Sequence, residues 1–380
     1  MIRSRSDLGR VRRLVIKIGS SLLADAHAGV RQDQVERLAA EIAQLHRQGM
    51  EIAIVSSGAV ALGCVHLGWV GRALSVHEKQ AAAAIGQPSL MHAYRQAFAR
   101  HDIGVAQMLL TRDDLRNRRR YLNASNTSET LFSAGIVPIV NENDTVVVQE
   151  IKFGDNDSLG ALAALLIDAD LLAILTDVEA LFDCDPAACA QARRIGLVES
   201  VTHQIMVMAG AAGSDFGTGG MASKLHAARI ATRGGVAVAV ISGHTEKALS
   251  TLLQGEDVGT LFICGADRQT RRQHWIAEVL PASGRLAVDP GAERAIRERG
   301  ASLLPVGVVA VEGMFDKGEC VEIANNGSVF ARGLCNYNAD EMRKIIGASS
   351  DGIEAVLGYH DFSSVVHRDN LVVLREIEEA

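Results

Sequence analysis

Two lysines, Lys17 and Lys224, are the residues on which chemistry could turn. Lys17 closes the apolar run Leu14-Val15-Ile16 and is followed by Ile18-Gly19-Ser20-Ser21. A lysine at the C-terminal end of a central strand is costly to leave unpaired and rarely serves packing. The plain alternative is an edge lysine that snorkels to solvent. Small residues behind it favour a functional role, because they let a phosphate approach the backbone. Lys224 stands just inside a helix opened by Gly217-Thr218-Gly219-Gly220-Met221-Ala222-Ser223. Free N–H groups and the positive end of the helix dipole make such a start a phosphate cradle. On its own this is a weak signal, since Gly-rich turns before helices are common. The stretch matches neither GxxxxGK[ST] nor GxGxxG, so neither a P-loop enzyme nor a Rossmann dehydrogenase is supported.

Between the lysines lies Ile139–Leu159, IVNENDTVVVQEIKFGDNDSL, with Asn141, Asp144, Lys152, Asp155, Asn156 and Asp157 among its polar residues. Asn and Asp suit a solvated connector. Seventeen residues, from Asn141 to Asp157, together too polar to be core, are nevertheless long for a structureless connection in a compact domain. The stretch also leaves the end of a strand, where open α/β sheets bind ligands. Two cations, a glycine cradle and a carboxylate-rich loop suit phosphoryl transfer, with the carboxylates available to Mg²⁺. No direct metal ligand can be named from the spacing.

The elements that would position these residues alternate. Strands are expected at 14–16, 51–55, 104–110, 136–140, 171–175, 236–241 and 259–263. Helices are expected at 33–47, 59–67, 76–100, 121–134, 158–167 and 246–253, with a further one opened by 217–224 and continuing to about 233. Val35, Leu38, Ala39, Ile42 and Leu45 show the 3.6-residue period that marks one helix face. Strand, helix and strand joined by short turns make a βαβ unit, so the first two strands should be parallel neighbours or nearly so. The fold class is therefore α/β, a three-layer αβα sandwich with a mostly parallel open sheet. After the polar stretch Gln269–Gln273 the texture changes. Short strand-like runs at 275–280, 285–288, 306–311 and 320–323, with helices at 289–299 and 338–346, indicate a small β-rich second domain. The expected division is 1–266, a linker at 267–275, and 276–380.

Composition narrows the class. The chain has 380 residues, 48% hydrophobic, with 36 Gly, 6 Pro and a net charge of −7. A general nucleic-acid binder would show a basic face. Six cysteines without a CxxC pair read as reduced thiols of a cytosolic protein. The N-terminal MIRSRSDLGRVRR reads as a solvated arm rather than a signal peptide, and no run of 18 apolar residues suggests a membrane span. The Arg116 and Arg118–Arg120 cluster reads as a solvated helix start. His367-Arg368-Asp369-Asn370 echoes a protein-kinase catalytic loop without the accompanying kinase motifs.

These residues resemble the amino-acid kinase family, closest to its glutamate 5-kinase members. The resemblance is carried by VIKIGSS (15–21), IVSSGAV (54–60), QMLLTRDD (107–114), IVPIVNENDTV (136–146), IKFGDNDSLGALAA (151–164), LLAILTDVEALF (171–182) and GTGGMASKLHAA (217–228). The segment GASLLPVGVVAVEGMFDKGECVEI (300–323) is similar to a PUA domain, a small β-rich barrel. The resemblance implies ATP-dependent phosphorylation of the γ-carboxylate of L-glutamate to L-glutamyl 5-phosphate, the first step of proline biosynthesis. It further implies Mg²⁺, feedback inhibition by proline, a cytoplasmic dimer or tetramer, and a glutamate-5-semialdehyde dehydrogenase as partner.

Residue by residue, the resemblance makes Lys17, Lys224 and Asp157 catalytic. Ser57, Asn141, Asp144, Asp155 and Asn156 would bind glutamate. ATP would be bound by Lys17, Lys152, Thr176, Asp177, Thr218, Gly219, Gly220, Met221, Ala222, Ser223 and Lys224. Ser56, where the family often has Thr, and Val178-Glu179-Ala180, which lacks a common Gly, are small departures. PUA domains elsewhere bind RNA, but residues 266–380 carry a net charge of −5, which disfavours counterion-driven binding. A kinase for another carboxylate or a carbamate is the remaining alternative.

Overall fold

The computed structural model describes the chain apart from residues 1, 26–28, 147–154, 187, 190, 212–219, 265–279, 281, 350–351, 360–361 and 375–380. It divides into two compact units, Met1–Leu115 with Arg119–Gly265, and Arg116–Arg118 with Ala266–Ala380. The expected strand at 275–280 lies outside the described residues except for Leu280.

In chain order the first part comprises β1 (Arg13–Ile18), α1 (Ser20–Leu23), a short hairpin of β2 (Ala24–Asp25) and β3 (Gly29–Val30), α2 (Gln32–Arg47), β4 (Glu51–Val55), α3 (Ala59–Leu67) and α4 (Val76–Ala99). Next come β5 (Val105–Leu110), α5 (Arg112–Arg116), α6 (Arg118–Ser133), β6 (Val137–Glu142), α7 (Asn156–Leu166) and β7 (Leu171–Thr176). The part ends with β8 (Leu197–Val198), α8 (His203–Ala211), α9 (Met221–Arg233), β9 (Ala237–Ser242), α10 (Ala248–Leu253) and β10 (Thr260–Phe262).

Eight of these strands form one sheet in the order β5-β6-β4-β1-β7-β9-β10-β8. β1 lies centrally, parallel to β4 on one side and β7 on the other. Leu14, Val15, Ile16 and Ile18 are fully buried, so both faces of β1 are covered, as a parallel strand requires. Burying each such side chain contributes about 1.5–3 kcal/mol. The α2 residues Val35, Leu38, Ala39, Ile42 and Leu45 are all buried, as their period requires. β10 runs antiparallel to β9 and carries the two-residue β8 parallel to itself at the sheet edge, so both run against the other strands. At two residues, β8 is too short to leave a period in the sequence.

Two helices cross with almost no space between them. A methyl group on Gly63 would lie 1.8 Å from the carbonyl oxygen of Ala82, and one on Gly86 would lie 1.9 Å from that of Ala59. Backbone therefore touches backbone where α3 meets α4. The contact fixes the start of α3, just after Ser57, against the middle of α4. There Pro88 interrupts the helix ladder.

The second unit is a five-stranded sheet ordered β12-β11-β13-β14-β15, with β11 (Gly284–Val288), β12 (Val308–Gly313), β13 (Cys320–Asn325), β14 (Ser328–Leu334) and β15 (Leu371–Val373). Leu286, Ile323, Phe330, Tyr337 and Met342 form its core. Its helix Pro290–Arg299 starts where expected, with Asp289 Oδ1 accepting from Ala292 N at 2.7 Å. The β13–β14 hairpin turns at Asn326-Gly327, both at positive φ (49° and 80°). Asn-Gly is the preferred pair for that two-residue turn.

Candidate active site

The site gathers where β1, β4, β6 and β7 end and where α7 and α9 begin. Ile139–Leu159 is less of a loop than its composition suggests. β6 runs on through Glu142 and α7 starts at Asn156 rather than Ser158, so the loop is shorter at both ends. Asn141 is thus a strand residue, and Asn156 and Asp157 occupy the first helical turn. Asp155 caps that helix, accepting from Ser158 N at 2.7 Å. A capping carboxylate locks the turn that carries the next two side chains.

Asp157 is fully buried between the two lysines. Lys17 Nζ lies 2.7 Å from Oδ1, an ion pair poorly angled for a hydrogen bond. Lys224 Nζ lies 3.4 Å from Oδ2, and Ser223 Oγ donates to the same oxygen at 2.7 Å. Burial alone would raise the Asp157 carboxyl, yet Lys17 and Lys224 outweigh it and hold it below the usual carboxylate range. The Lys224 ammonium is pulled below its ordinary range by desolvation, which Asp157 opposes. Asp155 shifts upward through burial and the charge of Asp157, against the bonds from Ser158. Lys17 reaches its partner because Gly160 leaves room for its stem. A methyl on Gly160 would sit 3.3 Å from Lys17 Cβ.

Asn156 turns the other way. Its Nδ2 lies 2.7 Å from Ser56 O, 3.0 Å from Ser57 Oγ and 3.2 Å from Asn141 Oδ1. Asn141 in turn donates from Nδ2 to Gln87 Oε1 at 2.8 Å. Ser56 Oγ is 3.0 Å from the hydroxyl of the buried Tyr94.

Lys17, Asp157, Ser223 and Lys224 therefore form one cluster, and Ser57, Asn141 and Asn156 form a second. Successive residues of α7 join the two. Thr176 ends β7, its Oγ1 donating to Asp177 Oδ1 at 3.0 Å, and the charge of Asp177 acts on Lys224. Gly220, Met221 and Ala222 open α9, with Gly220 O 2.7 Å from Ser223 Oγ. Asp144 lies half-buried in the turn after β6. Lys152, Thr218 and Gly219 lie outside the described residues.

Sequence reasoning missed Gln87 and Gly160. Gly160 could have been found, as a lone glycine in an Ala/Leu-rich helix costs about 1 kcal/mol against alanine and signals a close approach. Gln87 left only one trace, a polar residue between Gly86 and Pro88 in an otherwise alanine-rich segment.

A model of the amino acid kinase family matches residues 12–242, which sets the class of the protein as an α/β kinase, and a PUA domain model matches 284–357. A glutamate 5-kinase from Trichlorobacter lovleyi is 48% identical over 371 residues, spanning 97% of this chain and 99% of that protein. One from Geobacter sulfurreducens is 49% identical over 368 residues, with the same coverage. The chain belongs to the amino acid kinase family, in its glutamate 5-kinase branch. A UMP kinase structure from Bacillus anthracis covers 67% of this chain and 97% of its own at 17% identity and a TM-score of 0.48, a likeness too slight to argue from.

Proposed function

We propose that the chain transfers the γ-phosphoryl group of ATP to the γ-carboxylate of L-glutamate, forming L-glutamyl 5-phosphate, the opening reaction of proline biosynthesis. The observation that carries this reading is the single helical turn of α7. There Asp157 meets two buried lysines while the adjacent Asn156 meets Ser57 and Asn141. One turn thus joins a place for a transferring phosphoryl group to a place for a small polar acceptor.

The chemistry fits those side chains. A glutamate γ-carboxylate has an ordinary pKa of about 4.3, so it is an ionised nucleophile at neutral pH and needs no general base. The barrier is repulsion between that anion and the phosphates of ATP. Lys17 and Lys224 offset it by standing on either side of the phosphoryl group, and Asp157 fixes both ammonium groups in place. Ser57, Asp144 and Asn156 hold the acceptor, with Asn141 and Asp155 toward its α-amino end. Thr176, Asp177 and the start of α9 face the nucleotide, and the family resemblance assigns Lys152, Thr218 and Gly219 to ATP binding as well.

No group of three or more ligating side chains among the described residues could hold a metal ion. Both Asp157 oxygens already face lysine or serine. Mg²⁺ would enter as part of the MgATP substrate, neutralising phosphate charge. To the same reading belong domains at 1–266 and 276–380 with a linker at 267–275, a cytoplasmic homo-oligomer, inhibition by proline, and a partner dehydrogenase for glutamate-5-semialdehyde. No helix among the described residues is long and apolar enough to cross a membrane.

The test is product trapping. Protein, MgATP and hydroxylamine are incubated with glutamate, N-acetylglutamate or aspartate. Glutamate should give a hydroxamate far faster than the other two. Equal or greater turnover of another acceptor would transfer the activity to that substrate.

A further inference from the structure

The amide network beside Asn156 has a direction, set by groups that can only donate or only accept. The Glu142 backbone N–H donates to Asn141 Oδ1 at 2.9 Å. Asn156 Nδ2 donates to the Ser56 carbonyl oxygen and to the same Asn141 oxygen. Asn141 must therefore present Nδ2 to Gln87, and Gln87 must accept with Oε1. That leaves Gln87 Nε2 as the surplus donor. It is buried, on a residue only 8% exposed, and has no hydrogen-bond partner among the described residues. A buried donor without an acceptor costs about 1–3 kcal/mol, and such a group in a folded protein calls for an explanation.

We propose that Gln87 determines acceptor specificity, its Nε2 donating to the α-carboxylate of the amino-acid substrate. The proposal rests on the glutamate-kinase reading above. In that reading the γ-carboxylate lies at the lysine end of the α7 turn. Gln87 is the member of the network farthest in bonds from Asp157, reached from Asn156 through Asn141. The α-carboxylate, at the other end of the substrate, is the group with lone pairs to offer there. α4 holds the amide in place through the backbone contact at the neighbouring Gly86.

The experiment uses the full chain and two variants. Gln87→Glu keeps an acceptor for Asn141 but puts an anion where the donor was. Gln87→Met removes the donor at similar volume, so it reports even if a buried carboxylate prevents folding. In both, KM for glutamate should rise on the order of 10- to 100-fold, the range for a lost bond to a charged group. KM for MgATP should stay within about twofold of wild type. Isoglutamine, the α-amide of glutamate, separates the two ends of the substrate. Gln87→Glu should be penalised far less with isoglutamine than with glutamate. If wild type forms the hydroxamate while glutamate KM in folded variants stays within about twofold, Gln87 has no role in recognition. Wild type that makes no hydroxamate from glutamate would sink the kinase reading and this proposal together.

Discussion

Asp157 is the residue on which the site depends most, because among the described residues it alone stands between two buried ammonium groups, at 2.7 and 3.4 Å. Asp157→Asn would leave Lys17 and Lys224 facing each other without it. Removing one partner of a buried ion pair costs about 3–5 kcal/mol, so chemical denaturation should show a loss of that size. The pH dependence follows from the lowered pKa of the carboxyl. Its contribution to stability is complete above the unfolded value of about 3.9 and disappears as pH falls through the lower, folded value. Asp155, shifted upward, acts with the opposite sign. The wild-type minus variant difference is therefore the quantity that isolates Asp157. That difference should shrink below about pH 4; a difference constant to lower pH would show that Asp157 holds no charge the fold depends on.

At the scale of elements, the α3–α4 crossing decides how Ser57 and Gln87 are brought together. The atoms that a methyl on Gly86 would meet are backbone, at 1.9 Å from Ala59 O, and no rotamer change can relieve that clash. Gly86→Ala should force the helices apart and cost about 1–3 kcal/mol or more. It should also raise KM for glutamate more than KM for MgATP, since in the proposed reading α3 and α4 border the acceptor side. Equal effects on both constants would place the crossing outside acceptor binding. The elements most legible in sequence were those with a complete apolar period. α2 and α3 and the central strands of the sheet fall where their residues predict. The junctions were less legible. Asn156 and Asp157 read as loop residues by type, yet a capping aspartate draws them into α7, and capping overrides composition there. β14 was missed although Asn326-Gly327 announces the hairpin, because SVFARGL mixes glycine and arginine into its alternation.

For the whole molecule, near-complete coverage by relatives bears on both units at once. The resemblance found in short motifs extends over 97% of the chain. Sequence alone supplied the residues that sit at strand ends and helix starts, since type and position coincide there. It could not supply the network, whose members at 57, 87, 141 and 156 become neighbours only when α3, α4, β6 and α7 pack. Periodicity says which face of α4 is buried, but not that one polar group on it ends up without an acceptor.

That network also has a polarity that a single atom can reverse. In Asn141→Asp the side chain still accepts from Glu142 N and Asn156, but it has no N–H left for Gln87. The Gln87 amide must then rotate, giving its N–H to the new carboxylate and turning its oxygen outward. The site would exchange a donor for an acceptor without any change at Gln87 itself. Preference should shift from glutamate toward isoglutamine, whose amide can donate, by a factor on the order of ten or more. Competition between the two acceptors reads this directly, and an unchanged ratio would show that the orientation of Gln87 is not set through Asn141.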